Sequence, residues 1–327
     1  MTDAIARAQA FLLARQDPDG GWRDYLLAPG RSEAWTTAVV ACALQSVAGQ
    51  HRLRATALER AAAFHLATRR PGGWGYNRHT ACDADSSAWT LRCLAGQGMV
   101  AADAAALFLR YRSATGHVRT FDSVERFGHW AAPHDEVAPL VGLALLAHGD
   151  HAAAAALRPV LIAAWEANGW QPYWWQGDAY VRTQNLEFLA ASGGIPPHIA
   201  QTESAHLHAA PPPTTAFDLA QQLSSALLLD ATERAHVLAA ALLQSQMEDG
   251  GWPPSLVLLV PQQWQQGNEV FDDDRRMMST AVVLTALNRM AAGGKKMGSG
   301  ARVAACGDAP PANDTCANRA ITPRGDS

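Results

Sequence analysis

The chain is short of cysteine, of charge and of long apolar runs, and each shortage removes a class of protein. Its five cysteines (Cys42, Cys82, Cys93, Cys306 and Cys316) are odd in number and show no CxxC spacing. That pattern argues against a disulfide framework or a zinc cluster and fits a reducing, cytoplasmic location. Charged residues make up only 17% and the formal net charge is −4, so no basic footprint exists and no nucleic-acid partner is expected. Apolar stretches such as LAAALLQ and SLVLLVP fall far short of the roughly 20 residues of a transmembrane helix. The N-terminus, MTDAIARAQAFLLARQDPDGGW, carries Asp3, Arg7 and Arg15 and lacks the charged, apolar, small-residue order of a signal peptide. A soluble protein is expected, in peripheral contact with a membrane at most.

What the chain does have is hydrophobic material, 48% of it, arranged in a repeat. Six segments share one theme: SEAWTTAVVACALQ, CDADSSAWTLRCLA, HDEVAPLVGLALLA, GDAYVRTQNLEFLA, TTAFDLAQQLSSALL and RRMMSTAVVLTALN. Aligned on Ala38, Ala88, Leu140, Thr183, Ala220 and Ala281, they recur every 37 to 61 residues, the period of helical-hairpin repeats. More polar amphipathic helices lie between them, for example at 55–70, 154–167 and 233–246, and several run into a Gly-Trp turn: DGGW at 19–22, PGGW at 71–74, NGW at 168–170, DGGW at 249–252. Glycine can end a helix in the left-handed conformation, and the Trp then folds back over it.

Six such pairs predict an all-α fold, an α/α toroid of about six helical hairpins over residues 1–293, with an inner ring rich in small residues around a cavity and the charge on an outer ring. The cavity is expected to open near the inner-helix starts. Prolines in GIPPHIAQTESAHLHAAPPPTTA (194–216) predict a long loop in place of one outer helix. Residues 294–327 have neither periodicity nor apolar mass and read as a disordered tail.

Two aspartates stand out in CDADSSAW. At the place of Asp83 the other early repeats carry Glu33, Asp135 and Asp178, and a recurring carboxylate at a helix start reads as a cap for orphan N–H groups. At the place of Asp85 the repeats carry Trp35, Val137, Tyr180, Phe217 and Met278. A position that is apolar in five repeats should face the interior, so Asp85 would hang into an apolar cavity. There the neutral form is favoured, with Asp83 pushing the same way and the helix N-terminus the other. A neutral carboxylic acid in a dry cavity can protonate an alkene or epoxide. Aromatic faces can then hold the cation without quenching it. Trp35, Trp89, Tyr173, Trp174, Trp175, Tyr180, Phe217 and Phe271 cluster at or near the inner-helix starts, although core packing explains any one of them alone.

These residues resemble the class II terpenoid cyclases and the wider prenyltransferase and squalene-oxidase repeat proteins, squalene-hopene cyclase-like in type. QDPDGGW (Gln16, Gly20, Trp22) and QMEDGGW (Gln246, Gly250, Trp252) match the QxxxGxW repeat; TRRPGGW and AWEANGW keep the Trp without the Gln. DADSS lies on the acid motif Asp-x-Asp-Asp-Thr, with Asp83 first and Asp85 at the middle, proton-donating position. Ser86 and Ser87 replace the third acid and the threonine, and oxidosqualene-type members also lack that third acid. The resemblance implies an isomerase that cyclises an isoprenoid. Asp85 would be its acid, Asp83 and His79 would tune or reprotonate it, and Trp35, Trp89, Trp174, Trp175, Tyr180, Phe217 and Phe271 would line the substrate. No redox cofactor is implied. Magnesium enters only with a diphosphate substrate, which Arg78, Arg182, Arg275 or Arg276 could meet. Full cyclases of this class usually carry a second helical domain, for which this chain has no room, so a protein partner could supply the missing wall.

Other readings stand beside this one. A zinc-dependent prenyltransferase-like ring would use Cys82 and Asp83 with His79, His129 or His134, yet no recognisable ligand spacing appears. DDDRR (272–276) approaches a diphosphate-metal motif but ends in Arg276, and reads as a solvated acidic turn. Paired carboxylates of glycosidase type could be drawn from Glu33, Asp135 and Asp178, whose shared repeat position favours caps. A non-catalytic ring binding an apolar ligand or a partner protein is the remaining alternative.

Overall fold

A computed structural model describes residues 1–49, 51–262 and 267–293. The tail expected at 294–327 lies outside the described residues. In chain order the elements are α1 (Thr2–Leu13), the hairpin β1–β2 (Asp24–Leu27, Gly30–Ser32), α2 (Ala34–Ser46), α3 (Arg52–Thr68), α4 (Ala84–Ala95), the short α5 (Ala104–Leu109) and α6 (Val124–Phe127), α7 (Val137–Ala147), α8 (His151–Ala155), α9 (Arg158–Asn168), α10 (Ala179–Ala191), α11 (Pro197–Ala209), α12 (Ala216–Leu228), α13 (Thr232–Gln244), the hairpin β3–β4 (Leu256–Pro261, Asn268–Asp272) and α14 (Met277–Ala291).

The six repeated segments become α2, α4, α7, α10, α12 and α14, and each packs on the next until α14 returns to α2. This is a closed ring of inner helices, so the fold is the α/α toroid that the repeat predicts. Inner helices are buried on nearly every face, as α2 and α7 show, because one side meets the outer layer and the other the lumen. Among the described residues no helix is long and apolar enough to cross a membrane.

The Gly-Trp turns join the layers. Trp22, Trp74, Trp170 and Trp252 are fully buried, and their indole N–H groups donate to Leu12 O (2.7 Å), His65 O (2.8 Å), Leu161 O (3.1 Å) and Leu242 O (2.7 Å). Gly20 and Gly250 have φ of +92° and +89°, and an added Cβ would stand 2.4 Å and 2.5 Å from the carbonyl oxygens of Arg60 and Arg7. Only glycine satisfies both demands. Gln16 Nε2 bridges Gly20 O and Ala57 O, each at 2.8 Å, and Gln246 Nε2 bridges Gly250 O and Ala4 O, each at 2.9 Å. Each glutamine therefore ties its turn to the next outer helix, and Gln246 ties the last repeat to the first.

Three expectations need correction. The segment 194–216 contains the regular helix α11, because its prolines punctuate the ends: Pro197 takes the first helical position, where its missing N–H costs nothing, and Pro211–Pro213 follow the C-terminus. The acidic stretch at 272–276 is not simply solvated, since Asp273 is wholly buried and accepts from Ser255 N, Ser279 N and Ser279 Oγ at 2.6, 2.6 and 3.0 Å. Beside it, buried Asp24 accepts the backbone N–H groups of Arg275, Met277 and Met278 at 3.0, 2.7 and 2.9 Å, so the first repeat supplies the N-terminal acceptor of the last inner helix.

The recurring carboxylates are also not four caps. Only Asp83 caps a helix: Glu33 binds Arg23 and Arg78, Asp178 binds Arg182 and His206, and Asp135 accepts from Gln171 N.

Candidate active site

Helix α4 begins where the chain leaves a tight turn. Asp83 N–H donates to Trp74 O at 2.9 Å, and Ser87 Oγ both accepts from Trp74 N and donates to Trp74 O. Asp83 is the N-cap, with Oδ1 accepting from Ser86 N at 2.6 Å and Oδ2 from Ser86 Oγ at 2.9 Å. Both carboxyl oxygens are thus occupied, and the residue is buried. Burial pushes its carboxyl up to about 6 against the opposing pull of Ser86. Ser86, where the motif has its third acid, serves the cap.

Asp85 lies one residue into the helix and is half-buried. Its Oδ1 has no solvent contact and no hydrogen-bond partner. Its carboxyl is held well above the usual carboxylate range, first by burial, then by the charges of Asp83 and Glu136. The repeat alignment placed Asp85 level with Trp35, Val137, Tyr180, Phe217 and Met278, all of which are buried.

Four of the sequence-predicted aromatics form one connected wall. Trp35 meets Trp175 at 5.9 Å between ring centroids, Trp175 stacks on Phe217 at 4.6 Å and meets Tyr180 at 4.2 Å, and Tyr25 and Tyr76 extend the wall from Trp35. Trp89 joins by donating its indole N–H to the Tyr180 hydroxyl at 3.1 Å. Because α4 and α10 are separated in the ring by α7, that bond spans the lumen. Trp174 belongs to a second group with Trp130, Tyr173 and His134. Phe271, on β4, is half-buried against the core and makes no ring contact among the described residues. His79 is exposed on the loop ahead of α4, and its ring has no hydrogen bond to either aspartate, so the structure does not join it to Asp83 and Asp85.

Two features escaped the sequence. Glu136, at the start of α7, is wholly buried: Oε1 accepts from Tyr173 N at 3.0 Å and Trp174 N at 2.7 Å, while Oε2 has no partner. Burial pushes this carboxyl up to about 7, against the pull of those N–H groups. The only signal was the second acid of HDEV, masked by Asp135 in the alignment. The other is Glu187 on α10, which binds Arg92 of α4 and Arg289 of α14, each at 2.9 Å. These are alternate helices of the ring, so the triad crosses the lumen about two turns below Asp85. The arginines hold the Glu187 carboxyl below its usual range despite burial.

The cations proposed for a diphosphate point elsewhere. Arg78 binds Glu33 and Asp19, Arg182 binds Glu203 and Asp178, Arg276 binds Asp249, and Arg275 is exposed. The Asp178–Arg182–Glu203 group lines a separate shallow cleft between α10, α11 and α12, away from Asp85. Among the described residues no group of three His, Cys, Asp or Glu side chains is placed to hold a metal ion.

No family model matches the chain, and no curated protein sequence matches it. Solved structures do. MstE, a type II terpene cyclase from Scytonema, superposes with a TM-score of 0.75 at 23% identity, covering 89% of this chain and 98% of that one. A protein from Actinoplanes gives 0.74 at 24%, covering 89% and 99%. A variant of MstE in complex with geranylgeranyl dihydroxybenzoate, its substrate, gives 0.76 at 23%, covering 89% and 97%. The chain thus has the fold of type II terpene cyclases.

Proposed function

We propose that this chain is a protonation-initiated, class II type cyclase of an isoprenoid, with Asp85 as its general acid. The carrying observation is the Asp85 carboxyl, buried on one oxygen, without a hydrogen-bond donor and held in its neutral form. Such a group is costly to bury without a task, and its protonated form is the reagent that an alkene or epoxide needs. Protonation leaves a tertiary cation, which the chain's own π-bonds attack in turn. Trp35, Trp175, Tyr180 and Phe217 present a continuous aromatic wall, and such faces attract a cation while offering no nucleophile.

In this reading Asp83 is a positioning residue. Its cap fixes the first turn of α4, and its charge helps keep Asp85 protonated. Asp85 recovers its proton without His79. The chemistry written here requires no cofactor, and magnesium would enter only with a diphosphate substrate. Structures of MstE variants hold geranylgeranyl dihydroxybenzoate as substrate and merosterolic acid A as product, which makes a geranylgeranyl aromatic acid the first compound to try here.

The test is incubation of the protein and Asp85→Asn with geranylgeranyl dihydroxybenzoate, squalene, oxidosqualene and the C15 and C20 prenyl diphosphates, followed by mass-detected chromatography. A cyclic product made by the parent and lost in the variant, with binding retained, supports the acid role. A product made equally by both overturns it. Equal binding with no product from either favours a ring that only holds an apolar ligand.

A further inference from the structure

Asp85 is not the only carboxyl with a buried, unmatched oxygen near this lumen. Glu136 starts α7, the inner helix next to α4. Two backbone N–H groups fix its Oε1, from Tyr173 and Trp174, while Oε2 is buried and meets no donor. The carboxyl is therefore oriented by one oxygen and left free at the other. An unsatisfied buried polar atom is costly, and here two carboxyls on neighbouring helices each carry one. They are close enough for the charge of Glu136 to act on Asp85.

A cyclisation begun by adding a proton must lose one to finish as an isomerisation. Asp85 is ill suited to receive it, being committed to the other end of the cascade. His134 also has a buried ring nitrogen without a partner, Nε2, while its Nδ1 meets Thr120 Oγ1 at 2.8 Å. Burial holds that imidazole at about 3, against about 7 for Glu136, so the carboxylate is by far the stronger base.

We propose that Glu136 is the base that ends the cascade: its Oε2 removes a proton from the carbon beside the final cation. The C–H bond breaks, its electron pair becomes the new C=C bond, and the proton joins the Glu136 carboxylate. Glu136 then releases that proton to water and the ionised Asp85 takes one up from water, so each turnover takes up and releases no net proton. This inference rests on the cyclase reading above.

Glu136→Gln tests it, since the amide keeps an oxygen for the Tyr173 and Trp174 N–H groups but cannot take a proton. Parent, Asp85→Asn and Glu136→Gln are compared on geranylgeranyl dihydroxybenzoate and the other isoprenoids above. The expected result is that Glu136→Gln still consumes substrate but that the parent's alkene falls at least tenfold as a share of product, replaced by double-bond isomers or water-quenched alcohols. The same product in the same ratio and at the parent rate overturns the inference. If Glu136→Gln fails to fold, Glu136→Asp, which keeps the charge but draws it back, should shift the product ratio in the same sense, and an unshifted ratio again overturns it. A parent that makes no cyclic product removes the cyclase reading, and this inference with it. A parent product lost in Asp85→Asn but unaltered in Glu136→Gln removes this inference alone.

Discussion

Asp85 and Glu136 stand at the starts of neighbouring inner helices, α4 and α7, and each buries a carboxyl oxygen that no donor meets. Their surroundings keep both more basic than ordinary carboxyls, chiefly by burial. Asp83, two residues before Asp85, shows the contrast: the same side chain, more deeply buried, spends both oxygens on Ser86. Position within the first turn separates the carboxyl that caps the helix from the one left unmatched.

Glu136 makes stability depend on pH. Its folded carboxyl titrates at about 7 against an ordinary 4.5, so the folded state holds the proton more tightly. That contribution is fully present below about 4.5 and is lost as pH rises through 7, amounting to roughly 3 kcal/mol at most. Asp19, Glu33 and Asp249, whose values are lowered, pull the other way, so the parent must be compared with Glu136→Gln. Urea unfolding at pH 5 and pH 8 should show Glu136→Gln gaining on the parent at the higher pH. A difference that stays constant contradicts the prediction.

Asp83→Ala should lose the cap and cost about 1–2 kcal/mol, read as a lowered thermal midpoint. Asp83→Asn keeps an acceptor for Ser86 N and should cost less. Both variants should retain more activity than Asp85→Asn if Asp83 is the positioning residue proposed above.

Glu187→Ala would leave Arg92 and Arg289 facing each other across the lumen without their shared partner. Losing one member of a largely buried ion group costs roughly 3 kcal/mol or more. Glu187→Ala should therefore destabilise the protein more than Glu33→Ala, whose partners Arg23 and Arg78 retain Asp17 and Asp19. Equal denaturation midpoints for the two would contradict the cross-lumen role.

The ring seam makes a separate prediction. Asp24→Ala strips the N-terminus of α14 of the acceptor for three backbone N–H groups, at about 1 kcal/mol or more each where they stay buried. Amide exchange should rise first in the initial turn of α14, distant in sequence from the substitution. Uniform loss of protection across all helices would speak against a local clamp.

Much of the ring was legible because its determinants are local and repeated. Gly20 and Gly250 mark turns that tolerate no side chain, and the apolar residues aligned with Asp85 mark the inward face. Contacts between distant repeats were not legible. Asp24 serves α14 across some 250 residues, Glu187 gains its meaning from Arg92 and Arg289 on two other helices, and Trp89 reaches Tyr180 only across the lumen. Helix α11 is hidden for a different reason: prolines read as helix breakers in the sequence, and only the fold shows that these lie at the helix ends. The Asp85 side chain followed from pattern, whereas Glu136 needed the fold, since its sequence neighbour Asp135 occupies the repeat position and points instead to Gln171 N.

In the proposed function Asp85 delivers the proton that starts the cascade. Turnover of geranylgeranyl dihydroxybenzoate in deuterium oxide, with the cyclic product weighed and its label located by mass spectrometry and NMR, tests it most directly. One deuterium is expected on the carbon protonated first, with a rate lowered about 10³-fold or more in Asp85→Asn. A cyclic product without that label, or one formed by Asp85→Asn at the parent rate, would contradict it.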